Sequence, residues 1–241
     1  MKIIKPYVEQ MTPEIDGLKF LKTIEIAGRV CYKSEDKIDD ISAIAFVRKL
    51  INNGHEAMIE HAPSISMKFI CDRGVSHEIV RHRLFSFAQE STRYCNYGGG
   101  NDVVFILPCW FSEESKEYIL NKEYKWNDRY DMVIEDVINN VDAPYNRAEF
   151  IWLESMLSCE INYNHLIILK CPPQQARSVL PNSLKTEIIV TGNVREWRHF
   201  FKLRTAKTAH PQMIEVANMA LHLLKVQIPV VFDDILIGST L

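Results

Sequence analysis

The sequence predicts a mixed α and β fold (α+β), a single helix-rich domain with a small sheet. Long segments repeat apolar residues at helical spacing, whereas only residues 64–70 and 185–191 alternate polar and apolar residues as half-buried strands do. No internal repeat, low-complexity segment or evident linker interrupts the 241 residues. We therefore expect one domain over residues 1–241.

The N-terminal half supplies two helices and the first strand. Apolar residues recur at helical spacing over 16–31 and 40–53, and Asn52-Asn53-Gly54 is typical of a helix end. After the strand over 64–70, Gly74 is expected to begin a helix that runs through Val80. This helix would carry Arg81 to Arg83 near its end.

The C-terminal half is predicted to be mostly helical. Gly98 to Asn101 indicates a flexible loop. Long helices are expected over 112–139 and 144–161, separated at Pro144, and a short helix is expected to begin at Pro172-Pro173. After the strand over 185–191, helices are predicted at these positions: Val194–Arg204 and Pro211–Val226.

The composition is that of a globular protein, with 47% hydrophobic and 24% charged residues. A net charge of −3 disfavours a nucleic-acid partner, and no apolar run approaches the length of a membrane span. The N-terminus lacks the apolar core of a signal peptide. The six cysteines are scattered without a Cys-x-x-Cys pair, so we expect reduced thiols and a cytoplasmic location.

Four histidines (His55, His61, His77 and His82) raise the question of a metal site. A predicted strand separates the first two from the last two, and the spacing of the first two is unlike that of a helical zinc pair. We expect no metal.

The most informative segment is Arg81-His82-Arg83, followed by Ser86 and then by Ser91-Thr92-Arg93-Tyr94. Guanidinium groups bind phosphate in a bidentate manner, and hydroxyl groups can satisfy the remaining oxygens. Glu90 is the only acid in this stretch. The pattern favours a site for a phosphorylated, planar ligand, although an exposed basic helix end would also fit the charge pattern alone.

A second group of polar residues follows in the C-terminal half. It comprises Gln175-Ala176-Arg177, Asn193-Val194-Arg195, His199 and Arg204. Helical spacing places Arg195 and His199 on one face, with Arg204 roughly half a turn away. The alternative is a solvated amphipathic helix, and we expect Arg198 and Lys202 to lie on its exposed side. Glycine-rich phosphate loops are absent from the sequence, so side chains would have to hold any nucleotide phosphates.

Together these motifs resemble those of the flavin-dependent thymidylate synthases. That family has Arg-His-Arg, a Ser three residues later and Ser-x-Arg-Tyr, then Gln-Ala-Arg, Asn-x-Arg, a polar residue four positions on and a final Arg. This chain matches each step, and its His55 to His61 segment resembles the family's upstream His-Glu segment. The family usually has Asn-Glu where this chain has Ala88-Gln89.

The resemblance implies the family's fold, a homotetramer with shared sites, and reductive methylation of dUMP to dTMP. It implies FAD as cofactor, with 5,10-methylenetetrahydrofolate as carbon donor and NADPH as reductant of the flavin. The implied cofactor-binding residues are Arg81, His82, Arg83, Gln89, Asn193, Val194, Arg195 and His199. The implied substrate-binding residues are Glu78, Arg81, Gln89, Glu90, Ser91, Thr92, Arg93, Arg177 and Arg204. Among these, Arg204 is our expected catalytic residue.

Three alternatives stay open at this point. The same arginines could serve a nucleotide sensor without chemistry, or a nucleic-acid-binding module. A cysteine-dependent thymidylate synthase would need an activated thiol, and Cys95 is the only cysteine close in sequence to the arginine cluster.

The substrate residues also fall in two sequence groups, one around Arg93 and one around Arg177 and Arg204. By resemblance, these two groups meet across a subunit interface.

Overall fold

The structure is a computed structural model that describes residues 1–95, 97, 103–122 and 144–238. The described chain forms two compact units, each assembled from separated segments. Unit 1 contains Met1–Pro6, Ile70–Ser76 and Gln89–Glu187, and unit 2 contains Tyr7–Phe69, His77–Ala88 and Ile188–Leu241.

The strands form two small sheets. The strands are β1 (Lys2–Ile4), β2 (Tyr7–Gln10), β3 (Ile65–Asp72), β4 (Ser86–Gln89), β5 (Val104–Ile106) and β6 (Lys185–Gly192). β1 pairs in parallel with β5, with Ile3 opposite Phe105, and the other four strands have the order β2-β3-β6-β4. The two strands predicted from alternation, β3 and β6, are the inner strands of the larger sheet. The short strands β1, β2, β4 and β5 were not predicted.

Helices make up about half of the described chain. They are α1 (Gly17–Val30), α2 (Ser42–Asn52), α3 (Arg73–Ile79), α4 (Glu113–Asn121), α5 (Arg147–Ile168), α6 (Pro173–Ala176), α7 (Val194–Arg204) and α8 (Pro211–Gln227). Short 3-10 segments cover Glu35–Lys37, Glu56–His61 and Arg177–Val179. The mixed, helix-rich fold class is confirmed. In the described residues no helix is long and apolar enough to cross a bilayer.

Local chemistry explains where the helices begin. The Asn193 side chain accepts a hydrogen bond from the Glu196 amide and caps α7 at the predicted residue. α5 begins at Arg147 rather than near Pro144, because Asn146 and Glu149 form a reciprocal capping box. It then continues to Ile168, beyond the predicted end at 161. The predicted loop at Gly98–Asn101 and residues 123–139 of the predicted helix over 112–139 lie outside the described residues.

Each unit has its own apolar core. In unit 1 the buried side chains of β1, β5, α4 and α5 pack together, including Ile3, Phe105 and Leu157. In unit 2 an aromatic cluster joins β3 to α7, with the rings of Phe69 and Trp197 6.3 Å apart and those of Trp197 and Phe200 5.6 Å apart. Burial of such large rings stabilises each unit and fixes the face that α7 turns inward.

Candidate active site

The Arg-His-Arg segment lies in a turn just past the end of α3. Its backbone is held by hydrogen bonds from the Arg81 amide to the Glu78 carbonyl (3.2 Å) and from the Phe85 amide to the His82 carbonyl (3.1 Å). The helix predicted to include Val80 ends at Ile79, so the segment follows the helix rather than lying within its last turn. Phe85 is buried and anchors the turn. A Cβ at Gly192 would collide with the Phe85 ring, which explains a glycine at the end of β6.

Arg204 is the last residue of α7, and its side chain is held by hydrogen bonds to Glu78 and His82 of unit 2. Its Nη1 donates to the Glu78 carboxylate at 2.7 Å, and its Nη2 donates to the Glu78 carbonyl at 3.1 Å. Its Nε donates to His82 Nε2 at 2.9 Å. The side chain is only 19% exposed. The guanidinium plane is therefore fixed before any ligand arrives.

His82 supports Arg204 as a neutral imidazole. Because Nε2 accepts from the arginine, the ring proton must lie on Nδ1, which is 3.5 Å from a Glu196 carboxylate oxygen. Burial, followed by the nearby charges of Arg204 and His199, lowers the pKa of His82 to about 4. Burial also raises the pKa of Glu196, while His199 opposes that rise. The contact of His82 with a cofactor stays a prediction; within this chain its buried ring accepts from Arg204 and lies beside Glu196.

The two arginines that flank His82 differ from it in exposure. Arg81 and Arg83 are exposed, and within the described ranges neither guanidinium has a hydrogen-bond or ion-pair partner. Unpaired guanidinium groups next to a structured turn can bind an anionic ligand without first breaking an internal ion pair. This arrangement is the one expected of phosphate-binding side chains.

Helix α7 presents the remaining predicted cofactor residues. Arg195 is exposed and forms an ion pair with Glu60 at 2.6 Å. The exposed His199 ring lies 5.7 Å from that of His82. The side chain of Asn193 caps the helix and that of Val194 is fully buried, so Val194 could touch a ligand only through its backbone.

The expectation that Arg198 lies on a solvated face is wrong. Arg198 is fully buried, donates to Asp234 at 2.7 and 2.8 Å and to Glu56 at 2.9 Å, and also bonds the Val231 carbonyl. Helical spacing could not reveal this, because its carboxylate partners are distant in sequence. Lys202 is exposed as predicted, although it also contacts Glu56 at 3.0 Å.

Unit 1 brings together the other predicted substrate residues. Arg177 donates to the hydroxyl of the buried Thr92 at 3.0 Å. The Ser91 hydroxyl accepts from the Arg93 amide at 3.3 Å, and the exposed Arg93 guanidinium lies 5.5 Å from the Tyr94 ring centre. Arg177 therefore lies beside the Ser91–Arg93 segment of its own chain. Arg204 contacts Glu78 and His82 within unit 2, and its grouping with Arg177 stays a prediction.

Gln89 and Glu90 are tied to their own unit. Gln89 Nε2 donates to the hydroxyls of Ser76 at 2.8 Å and Thr186 at 3.2 Å. The Glu90 carboxylate accepts from Tyr97 at 2.8 Å and from Lys185 at 3.3 Å. Both carboxylate oxygens of Glu90 thus have partners from its own chain. Such a residue can hold the segment after β4 in place.

Three supporting residues were missed at the sequence level: Glu196, Tyr97 and Lys185. Lys185 is also 2.5 Å from Glu187. Alternation along β6 puts Lys185 and Glu187 on one face, which was a usable signal for that ion pair. No local pattern pointed to Tyr97 or to Glu196.

Comparison with known proteins identifies the family. A family model described as "Thymidylate synthase complementing protein" matches residues 16–230. The chain is 37% identical over 213 residues to a flavin-dependent thymidylate synthase of Corynebacterium aurimucosum, covering 88% of this chain and 78% of the relative. It is 33% identical over 227 residues to that of Corynebacterium glutamicum, covering 93% and 82%.

Two solved structures share the fold. One is a UMP/dUMP methylase PolB from Streptomyces cacaoi bound with 5-Br dUMP (TM-score 0.69, 22% identity, covering 96% of this chain and 95% of the other). The other is a flavin-dependent thymidylate synthase from Helicobacter pylori complexed with FAD and dUMP (TM-score 0.66, 20% identity, covering 97% and 100%).

This chain belongs to the flavin-dependent thymidylate synthase family. It is an enzyme of that family, and its function is the flavin-dependent synthesis of thymidylate.

Proposed function

We propose that the reaction is methylation of dUMP at C5 at a site built from the predicted residues. In this reaction 5,10-methylenetetrahydrofolate is the carbon donor, and NADPH re-reduces the flavin. Family membership supports the chemistry. The observation that carries the assignment of the site is the fixed position of Arg204 between Glu78 and His82.

The side chains of unit 2 fit an anionic dinucleotide. Arg81 and Arg83 offer unpaired guanidinium groups, and the exposed His199 follows on α7. Bound FAD would supply the hydride for the reaction. The protein's part is to bind the phosphates and to orient the cofactor, which side-chain cations must do in the absence of a glycine-rich loop.

Arg204 can activate the uracil ring through its remaining donors. A guanidinium has five N–H groups, and Glu78 and His82 take up three of them, which leaves two. Placed beside N3 and a neighbouring carbonyl, these two would stabilise negative charge on the ring and increase electron density at C5. Because the plane is already fixed, little reorganisation is needed when charge develops.

Unit 1 supplies further candidate contacts for the nucleotide. Arg93 is exposed, and Arg177 has donors left after its bond to Thr92. We assign these two arginines to the phosphate of dUMP. We assign Glu90 and Gln89 to shaping the loop, because their side chains are bonded to their own unit.

The assembly is proposed to be a homotetramer in the cytoplasm, with each chain acting as a single functional domain. Leu84 (77% exposed) and Tyr94 (79% exposed) lie within the segment from Arg81 to Tyr94. Large side chains that are this exposed support a role for the segment in contacting a ligand or another subunit.

The test compares Arg204→Lys with wild type for dTMP formation. Lysine keeps the positive charge but cannot bond Glu78 twice and His82 once in one plane. We expect turnover to fall by at least ~10²-fold, the scale for loss of one preorganised donor. Flavin should remain bound, as judged by visible absorbance. Arg48→Lys, at an exposed arginine of unit 2 that is 3.5 Å from Asp233, is the matched control and should retain turnover.

Two outcomes would contradict the proposal in different ways. Near-normal turnover in Arg204→Lys would remove the activating role while leaving the enzyme assignment intact. A wild-type protein that binds dUMP but neither retains flavin nor forms dTMP would favour the sensor alternative.

A further inference from the structure

A cavity lies in unit 2, between α1, α2 and the loop that joins them. Its volume is about 720 Å³, which is within the range of small-molecule sites. Its basic lining residues are Arg29, Lys37, Lys49 and His55, and among the described residues that line it none is Asp or Glu. Apart from His55, none of its lining residues belongs to the motifs that predicted the flavin and nucleotide residues.

Two carboxylates, those of Glu25 and Asp39, are bonded to lining residues or to their neighbours. Glu25 is fully buried and accepts from Arg29 at 2.7 Å and from Ser42 at 2.9 Å. Asp39 accepts from the backbone amides of Ile41 and Ser42, and these bonds lower its pKa. Glu25 therefore fixes the position of the Arg29 guanidinium and neutralises its charge, so that any charge for a ligand has to come from the lysines.

The two lysines keep their charge available. Lys37 lies in a 3-10 turn and Lys49 near the end of α2, and in the described part of the chain neither ammonium has an ion-pair partner. Another part of the cavity wall is held in place by packing of Arg29 and Phe46. The Arg29 guanidinium stacks 4.8 Å from the Phe46 ring centre, and the absence of a Cβ at Gly28 lets that ring approach α1. The result is a concave site with an aromatic side and two lysines that have no ion-pair partner among the described residues.

We propose that this cavity is a binding site for a small polyanion, a molecule that carries at least two phosphate or carboxylate groups. Lys37 and Lys49 bind the anionic groups, and Arg29, whose charge is paired with Glu25, shapes the wall through its stacking on Phe46. The proposal does not depend on the thymidylate reaction, because none of these three cations belongs to the residues assigned to it.

The test is calorimetric titration of protein saturated with FAD and dUMP, so that the other anion-binding residues are occupied. Pyrophosphate and citrate are the two probes. Saturable binding of one molecule per chain, tighter for pyrophosphate, would identify phosphate as the preferred group, and tighter binding of citrate would identify carboxylate.

Variants connect that binding to the cavity. Lys37→Gln with Lys49→Gln should weaken binding by at least ~10-fold, because both free charges are removed. Lys19→Gln changes an exposed lysine of α1 outside the cavity and should bind as wild type does. Ala45→Trp keeps every charge but places a large side chain at an exposed position of the lining, and should abolish binding.

The proposal is overturned if neither probe binds saturably up to millimolar concentration. It is also overturned if the double lysine variant and Lys19→Gln lose affinity equally, since that would indicate a general charge effect. Unchanged affinity in Ala45→Trp would place the bound anion elsewhere.

Discussion

The depressed pKa of His82 predicts a stability change that depends on pH. In the folded chain this pKa is about 4, against 6.5 for an unperturbed histidine. Between these values the unfolded chain binds a proton that the folded chain does not, so the contribution is fully present above pH 6.5 and is lost as pH falls toward 4. A difference of about 2.5 pKa units corresponds to about 3 kcal/mol in full, and about 2 kcal/mol of it would be lost by pH 5.

The assay is urea unfolding at pH 7 and pH 5 for wild type and His82→Gln. A glutamine carbonyl can still accept from Arg204, but it does not titrate. Wild type should lose about 2 kcal/mol more unfolding free energy over this interval than the variant loses. His222→Gln, at an exposed position of α8, should behave as wild type does. Carboxylates elsewhere contribute equally to the pH dependence of unfolding free energy in all three proteins, so their contribution cancels in the comparison.

Two results would refute this reasoning. The first is an identical pH dependence in wild type and His82→Gln. The second is a directly measured His82 pKa above 6 in an NMR titration of folded wild type, a measurement that does not require the variant to fold. Either result would mean that burial and the Arg204 charge do not hold the imidazole neutral.

Three further predictions concern the proposed enzyme. Arg81→Ala should lose flavin on a sizing column while keeping its circular dichroism spectrum, and retention equal to that of Arg48→Ala would remove Arg81 from the cofactor site. Cys95→Ala should retain dTMP formation, whereas a folded, flavin-loaded variant without turnover would return a thiolate mechanism to consideration. Mixing inactive Arg177→Ala and Arg204→Ala chains should restore part of the activity if different subunits supply the two arginines. Mixed oligomers verified by mass that remain inactive would argue for sites within single chains.

Local patterns predicted the regular elements well. Alternation located β3 and β6, and helical period with an Asn-x-Arg start located α7 to the residue. The short strands escaped because three or four residues carry too little pattern. β4 lies within the segment from Arg81 to Tyr94, whose polar residues indicate a ligand site rather than a strand.

The site could be predicted only in part. Sequence motifs named Arg204, Glu78 and His82 separately, but not that Glu78 and His82 hold the guanidinium between them. Contacts between residues more than a hundred positions apart leave no local signal. Nor could charge pattern separate Arg195, which is exposed, from Arg198, which is buried three positions later.

The buried Arg198 also fixes the rotation of α7 about its axis. Its bonds to Glu56 and Asp234 allow one angular setting of the helix, and successive residues then follow at about 100° intervals. The outward direction of Arg195 and His199 is therefore set by a side chain that has no contact with solvent. A change at Arg198 would remove its bonds to Glu56 and Asp234 and allow the helix to rotate, so it would alter ligand affinity from a position that the ligand cannot touch.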